Sequence, residues 1–187
     1  MEELLIFLTS IHPLSVGLIE YLSINLKTKH LAKKDFLLKS GHVSKDICFI
    51  GEGLLRCFYL IDDKEVCSWF MKEGDVIISV ESFFKQQESY ESIQALDICT
   101  LYYITYEELQ LIYRNFSEFN FVGRILTERY YTLSEQRLHS IRMQRSQDRY
   151  AYLMEHHAEL IQRVPSKFLA SYLGITEVTL SNIKGNR

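Results

Sequence analysis

Between Leu4 and Leu22 the apolar residues Leu4, Leu5, Leu8, Leu14, Leu18, Ile19 and Leu22 recur at helical spacing, so residues 1–25 are expected to be helical. Pro13 marks the start of the second half, since its fixed φ suits a first helical turn. At Lys27 the texture changes. From there to about residue 105, short β-type runs alternate with turn clusters. The run 36–39 stops at Ser40-Gly41, and 47–50 stops at Gly51-Glu52-Gly53. Runs 54–61 and 65–71 flank Asp62-Asp63-Lys64, a hairpin signature. Lys72-Glu73-Gly74-Asp75 turns the chain into 76–80, and 94–104 closes the series. About seven such strands at this spacing predict a closed or rolled antiparallel structure rather than a parallel βαβ sheet.

Helical spacing then returns, in a short helix over 106–113 and a long one over about 117–141. On the long segment Phe119, Val122, Leu126, Leu133 and Ser140 keep an approximate 3,4 rhythm, with Arg129 and Gln136 between them. That interrupted seam suits a two-stranded coiled coil. The same stripe describes a helix buried against its own β-domain, and the pattern leaves both readings open. Ser146-Gln147-Asp148 resembles a hinge and N-cap, residues 149–161 form a further helix, and Arg163-Val164-Pro165 leads into the last segment.

Residues 166–185 fit two short helices crossed at one glycine. Leu169 and Leu173 supply the first helix's core positions, and Ala170 the small residue at the crossing. Gly174 stands where the chain must turn sharply, because a residue without Cβ enters the left-handed region without strain. Ile175, Leu180 and Ile183 then face the core, and Thr176 sits at the N-cap position. Glu177, Val178, Ser181 and Asn182 are left on the outer face that would enter a major groove. An ordinary helical hairpin packing on its own domain is the competing reading.

Composition narrows the class. At 187 residues, 47% hydrophobic and 24% charged, the chain is expected to be globular, with room for a small second domain. Glu2 and Glu3 open it and no stretch reaches the length of a transmembrane helix, so a cytoplasmic protein without signal peptide or membrane partner is expected. Residues 1–140 carry 14 Lys and Arg against 20 Asp and Glu, whereas 141–187 carry 7 against 4. Only the C-terminal part attracts phosphate, though modestly. Cys48, Cys57, Cys67 and Cys99 lack C-x-x-C spacing and read as buried thiols in strands. His12, His30, His42, His139, His156 and His157 have no partners at mechanistic spacing, so neither an enzyme nor a metal site is expected.

The order helix, strands, long helix, helix-turn-helix resembles the Crp/Fnr superfamily of bacterial transcription regulators over essentially the whole chain. Cys48 to Arg56, the turn Glu73-Gly74-Asp75-Val76-Ile77, and Ala170 to Thr176 carry that resemblance. The run from His157 to Thr176 is similar to the branch found in Bacteroidetes-type bacteria. The resemblance implies an α+β chain: an antiparallel β-roll or jelly-roll sensor over 1–116, a dimerisation helix over 117–141, and a helix-turn-helix domain over 142–187. It implies a homodimer that binds double-stranded DNA and admits RNA polymerase as a partner. No cofactor is called for beyond an unidentified small-molecule effector.

Two departures limit what carries over. Cyclic-nucleotide-binding members show a phosphate cassette G-E-L-G-L-F followed by R-S/T, in which a Glu meets the ribose and an Arg the cyclic phosphate. The matching stretch here offers Ser79, Val80, Glu81, Ser82 and Phe83, then Tyr90 and Ser92, with no Lys or Arg from 86 to 94. Glu81 approximates the ribose glutamate with a register slip of one. An anionic phosphate buried without a cationic partner is costly, so cyclic AMP is not the expected effector. These seven residues and Arg129 form the candidate effector pocket, unless the stretch is simply a loop closing the roll. The second departure is on the recognition helix, where relatives show R-E-x-x-x-R and this chain has Glu177, Val178 and Asn182. Without arginine to read guanine, Asn182 is the candidate for adenine, Glu177 for cytosine, and Thr176, Thr179, Ser181, Lys167 and Lys184 for the backbone. The alternative is a sensor or interaction module whose degenerate helix-turn-helix binds no DNA.

Overall fold

The computed structural model describes residues 1–185. Two helices, α1 (Glu2–Ile11) and α2 (Val16–Asn25), open the chain. The break between them falls at Ser15 rather than at Pro13, because the Ser15 hydroxyl accepts the Leu18 N–H and caps α2. Strands β1 (Lys27–Leu31), β2 (Phe36–Leu38), β3 (Asp46–Glu52), β4 (Leu54–Ile61), β5 (Lys64–Lys72) and β6 (Val76–Ile77) follow. After the short helix α3 (Val80–Lys85) come β7 (Glu91–Ala95) and β8 (Cys99–Thr105).

All pairings are antiparallel and build two four-stranded sheets, β1-β8-β3-β6 and β2-β7-β4-β5. The expected run 94–104 is therefore two strands in different sheets, and the expected strand 76–80 ends at Ile77 before α3 begins. Gly53 lets the chain pass from one sheet to the other between β3 and β4. Its φ is +106°, and a Cβ there would lie 2.5 Å from the Cys99 sulfur. The β4–β5 hairpin closes through Asp62 (φ 49°) and Asp63 (φ 61°), the doubly left-handed two-residue loop that matches strand twist.

Side chains alternate across β4 as a strand requires. Leu55 and Cys57 enter the core inside the roll, with Leu31, Cys48, Ile50 and Ile93. Leu54 and Phe58 point the other way, into a core shared with the C-terminal helices. A third core gathers α1, α2, α3 and α4 (Tyr106–Asn115) around Phe83 and Ile112.

The long helix α5 (Ser117–Met143) runs 27 residues. Phe119 and Val122, the first positions of the expected coiled-coil stripe, are buried in this chain's own third core, and Leu126 packs against it. Beyond α5 the single helix expected over 149–161 is two, α6 (Ser146–His156) and α7 (Ala158–Arg163), parted at His157. The last pair is α8 (Ser166–Leu173) and α9 (Glu177–Gly185). Among the described residues no helix is long and apolar enough to cross a membrane.

Candidate functional site

A half-open pocket of about 400 Å³ runs along the flank of α5, from the third core under α1, α2 and α4 to the inner face of sheet β2-β7-β4-β5. Trp69 and Met71 of β5, Cys57 and Tyr59 of β4, and Tyr130 of α5 line it. The Tyr130 hydroxyl accepts the Val76 N–H at 2.7 Å, which ties α5 to the roll, and burial pushes this phenol up to about 12. Three sequence-predicted pocket residues, Val80, Glu81 and Tyr90, also line the cavity. The other five do not, and each has a visible reason.

Ser79 is buried with its hydroxyl 2.9 Å from that of Ser89, and Ser82 accepts the Ser44 N–H and donates to the Gln87 carbonyl. Ser92 accepts the Ser40 N–H. These hydroxyls tie the loop together. Phe83 turns into the core beneath α1 and α4, edge-on to Tyr106 at 5.5 Å. Arg129 is exposed on α5, one position from the inward-facing Tyr130.

Sequence reading missed Glu91, which pairs with Tyr59 in the sheet and faces the same cavity. Partial burial raises its carboxyl above the usual range, with the nearby Ser79 hydroxyl opposing the shift. At the mouth, Glu81 is held below the usual range by its 2.6 Å ion pair with Lys85. No Lys or Arg stands among the described residues lining the cavity. Strict alternation along β4 and β7 was the signal that could have found Glu91, since its partner strand turns every second residue inward.

The second candidate site lies at the chain's other end. Gly174 takes the left-handed conformation (φ 65°) after α8, and the Thr176 hydroxyl accepts the Thr179 N–H at 3.1 Å, capping α9. Leu169, Ala170, Leu173 and Leu180 are buried, with Ile175 and Ile183 packed on them. Thr176, Glu177, Val178, Ser181 and Asn182 are exposed, and Thr179 is half-buried. Lys167 and Lys184 are exposed beside this face. Arg145 is exposed too, whereas Arg187 lies outside the described residues. Arg163, just before α8, is engaged within the chain by Glu73 and Asp97.

Those contacts belong to an interface between the two sites. The outer face of β4 and β5 carries the C-terminal helices. Ser171 of α8 accepts the Cys67 N–H at 2.9 Å and donates to the Glu65 carbonyl at 3.1 Å. The guanidinium of Arg56, only 2% exposed, lies between the rings of Phe58 and Phe168 at 4.1 and 3.7 Å. It donates to Glu65 and Gln94. Phe70 packs on Tyr172, and at the rim Lys72 pairs with Glu159. From α5, Arg137 stacks on the Tyr172 ring and donates to its carbonyl. All four cysteines are buried and free, and burial raises Cys48 to about 12.

Residues 28–116 match the cyclic nucleotide-binding domain family. No curated protein sequence matches the chain. Among solved structures, FixK2 from Bradyrhizobium japonicum aligns with a TM-score of 0.71 at 15% identity, covering 86% of this chain and 83% of its own. The c-di-GMP-responsive global regulator CLP of Xanthomonas campestris gives 0.71 at 15% identity, covering 92% and 91%. A protein assigned to the Crp/Fnr family from Eubacterium rectale gives 0.68 at 16% identity, covering 91% and 82%. At these identities the likeness is one of fold. It is the likeness expected of an antiparallel roll joined by α5 to a helix-turn-helix: residues 28–116 are similar to the cyclic nucleotide-binding domain family, and the chain shares the overall fold of these solved structures.

Proposed function

We propose that this protein is a homodimeric, cytoplasmic DNA-binding transcriptional regulator of the Crp/Fnr type, without catalytic activity, whose effector is not cyclic AMP. The observation that carries the reading is α9: a helix capped by Thr176, set at a Gly174 turn, with Glu177, Val178, Ser181 and Asn182 exposed on its outer face. Its division of labour is a sensor over 1–116, a dimer helix over 117–141 and a DNA-binding domain over 142–187. RNA polymerase is a further partner of such a regulator. The absence of a Lys or Arg among the described residues of the cavity lining supports the exclusion of a cyclic phosphate, whose burial demands one.

Because Phe119 and Val122 are buried inside the chain, the dimer seam runs along the stripe Ile125, Arg129 and Gln136, which is exposed or half-buried. A charge at Ile125 placed by Ile125→Glu then separates the dimer in sedimentation. In a two-fold dimer the two α9 helices enter successive major grooves about 34 Å apart, so the operator is a palindrome.

With no arginine on the outer face of α9, phosphate contacts from Lys167, Lys184 and neighbouring cations dominate, and binding is steeply salt-dependent and weakly selective. Salt titrations on a selected palindrome and a scrambled duplex test this. Asn182→Ala relaxes preference at one base pair by about 1–3 kcal/mol, whereas Lys167→Ala weakens both duplexes alike. Binding to neither duplex at low salt would favour the second reading, a sensor or interaction module, which draws on the same lack of arginine.

A further inference from the structure

The chemistry of the roll cavity is the inverse of a phosphate site. Its volume of about 400 Å³ falls within the range of small-molecule pockets. The formal charges in its lining are carboxylates, Glu91 within and Glu81 at the mouth. Lys85, the nearest cation of the α3 segment, is already paired with Glu81. Around these acids stand aromatic rings. Tyr59 and Tyr90 lie 5.6 Å apart, tilted by 32°, and Trp69 and Tyr130 line the same space.

An anion entering such a cavity meets like charge and no guanidinium. A neutral apolar molecule fills the space but leaves the half-buried Glu91 carboxylate without a counter-ion in the lining. A cation satisfies both features at once, because ring faces carry negative quadrupole charge and attract positive heads that have left water. Glu91 and Tyr59 are adjacent by strand pairing, so counter-ion and ring face are fixed relative to each other before any ligand arrives.

We propose that this cavity receives an organic cation, an ammonium or protonated amine on an apolar body, with Glu91 as counter-ion and Tyr59, Trp69 and Tyr90 around the charged head. The proposal rests on reading this cavity as the effector site. It makes the chain's regulatory signal an amine, where the fold's phosphate cassette would take an anion.

Three probes with one aromatic body and different heads test it on the full chain by calorimetric titration: 2-phenylethylammonium, 2-phenylethanol and 3-phenylpropanoate. The ammonium binds about tenfold more tightly than the alcohol, and the propanoate binds weakest. Glu91→Gln, which keeps the side chain's size, removes the preference for the ammonium while the alcohol's affinity stays. Tyr59→Leu weakens the ammonium and serves as the independent variant should Glu91→Gln fail to fold. Equal affinity for all three probes overturns the proposal, as does a preference for propanoate or cyclic AMP, or no ammonium binding at millimolar concentration. These titrations contain no DNA. A chain that binds the ammonium but no duplex would retain this inference and lose the regulatory one.

Discussion

Along β4 neighbouring side chains part company: Leu55, Cys57 and Tyr59 turn into the roll, whereas Leu54, Arg56 and Phe58 turn outward beneath α8. The inner side borders the open pocket along α5 and carries a carboxylate, Glu91. The outer side is closed by rings, hydrogen bonds and the Arg163–Glu73–Asp97 ion pairs. One sheet thus presents an unfilled face and a filled one, which teaches that burial and packing are separate properties. The period of two makes the separation achievable within a single strand, since neither face constrains the residues of the other.

The comparison can be broken most forcefully by truncating adjacent residues of β5. Phe70→Ala removes a ring packed on Tyr172 and is expected to cost about 3–4 kcal/mol, whereas Met71→Ala, already beside open space, costs about 1–2 kcal/mol. Urea denaturation of the two variants measures both, and equal losses would erase the distinction between the faces. Arg56→Leu comes next. It strips Gln94 and Glu65 of their donor and is expected to cost about 2–3 kcal/mol in the same assay.

Ser171→Ala leaves the Cys67 N–H and the Glu65 carbonyl without their shared partner, at about 1–2 kcal/mol. Faster amide exchange at Cys67 would locate the damage on the outer face. The smallest effect concerns acid. Hydrogen bonds from Arg163 hold Glu73 down to about 2, against an ordinary 4.5. A depressed carboxyl pKa contributes stability that is present above the ordinary value and lost as pH falls through the folded one, so the window lies between about pH 4.5 and 2. The Glu73 side chain is 40% exposed, which limits the contribution to under about 1 kcal/mol. Arg163→Gln should flatten that limb of the pH profile, and an unchanged limb would remove this ion pair from the account.

What the sequence disclosed followed the range of the interactions. The Gly174 turn, the Thr176 cap and the Asp62-Asp63 hairpin depend on a few consecutive residues, so their chemistry is legible in order. The long-helix stripe was ambiguous because self-burial and dimerisation ask for the same spacing, and Phe119 and Val122 resolve into the chain's own core only through α1 and α4. The cavity was harder. Ser79, Ser82 and Ser92 look like ligand-binding hydroxyls until their backbone and serine partners, up to 52 residues away, are known. Glu91 and Arg56 likewise draw their meaning from strand pairing, which a linear pattern of polar and apolar letters does not specify.

The 27-residue helix α5 has a mechanical consequence. It is fastened to the roll at Tyr130 and to the end of α8 at Arg137. Those fastenings are two helical turns apart, about 10 Å, on one side of the rod. Because Tyr172 is also packed on Phe70 and its neighbour Ser171 is hydrogen-bonded to β5, the rod, the roll and the end of α8 close a triangle of contacts in which no one member can shift alone.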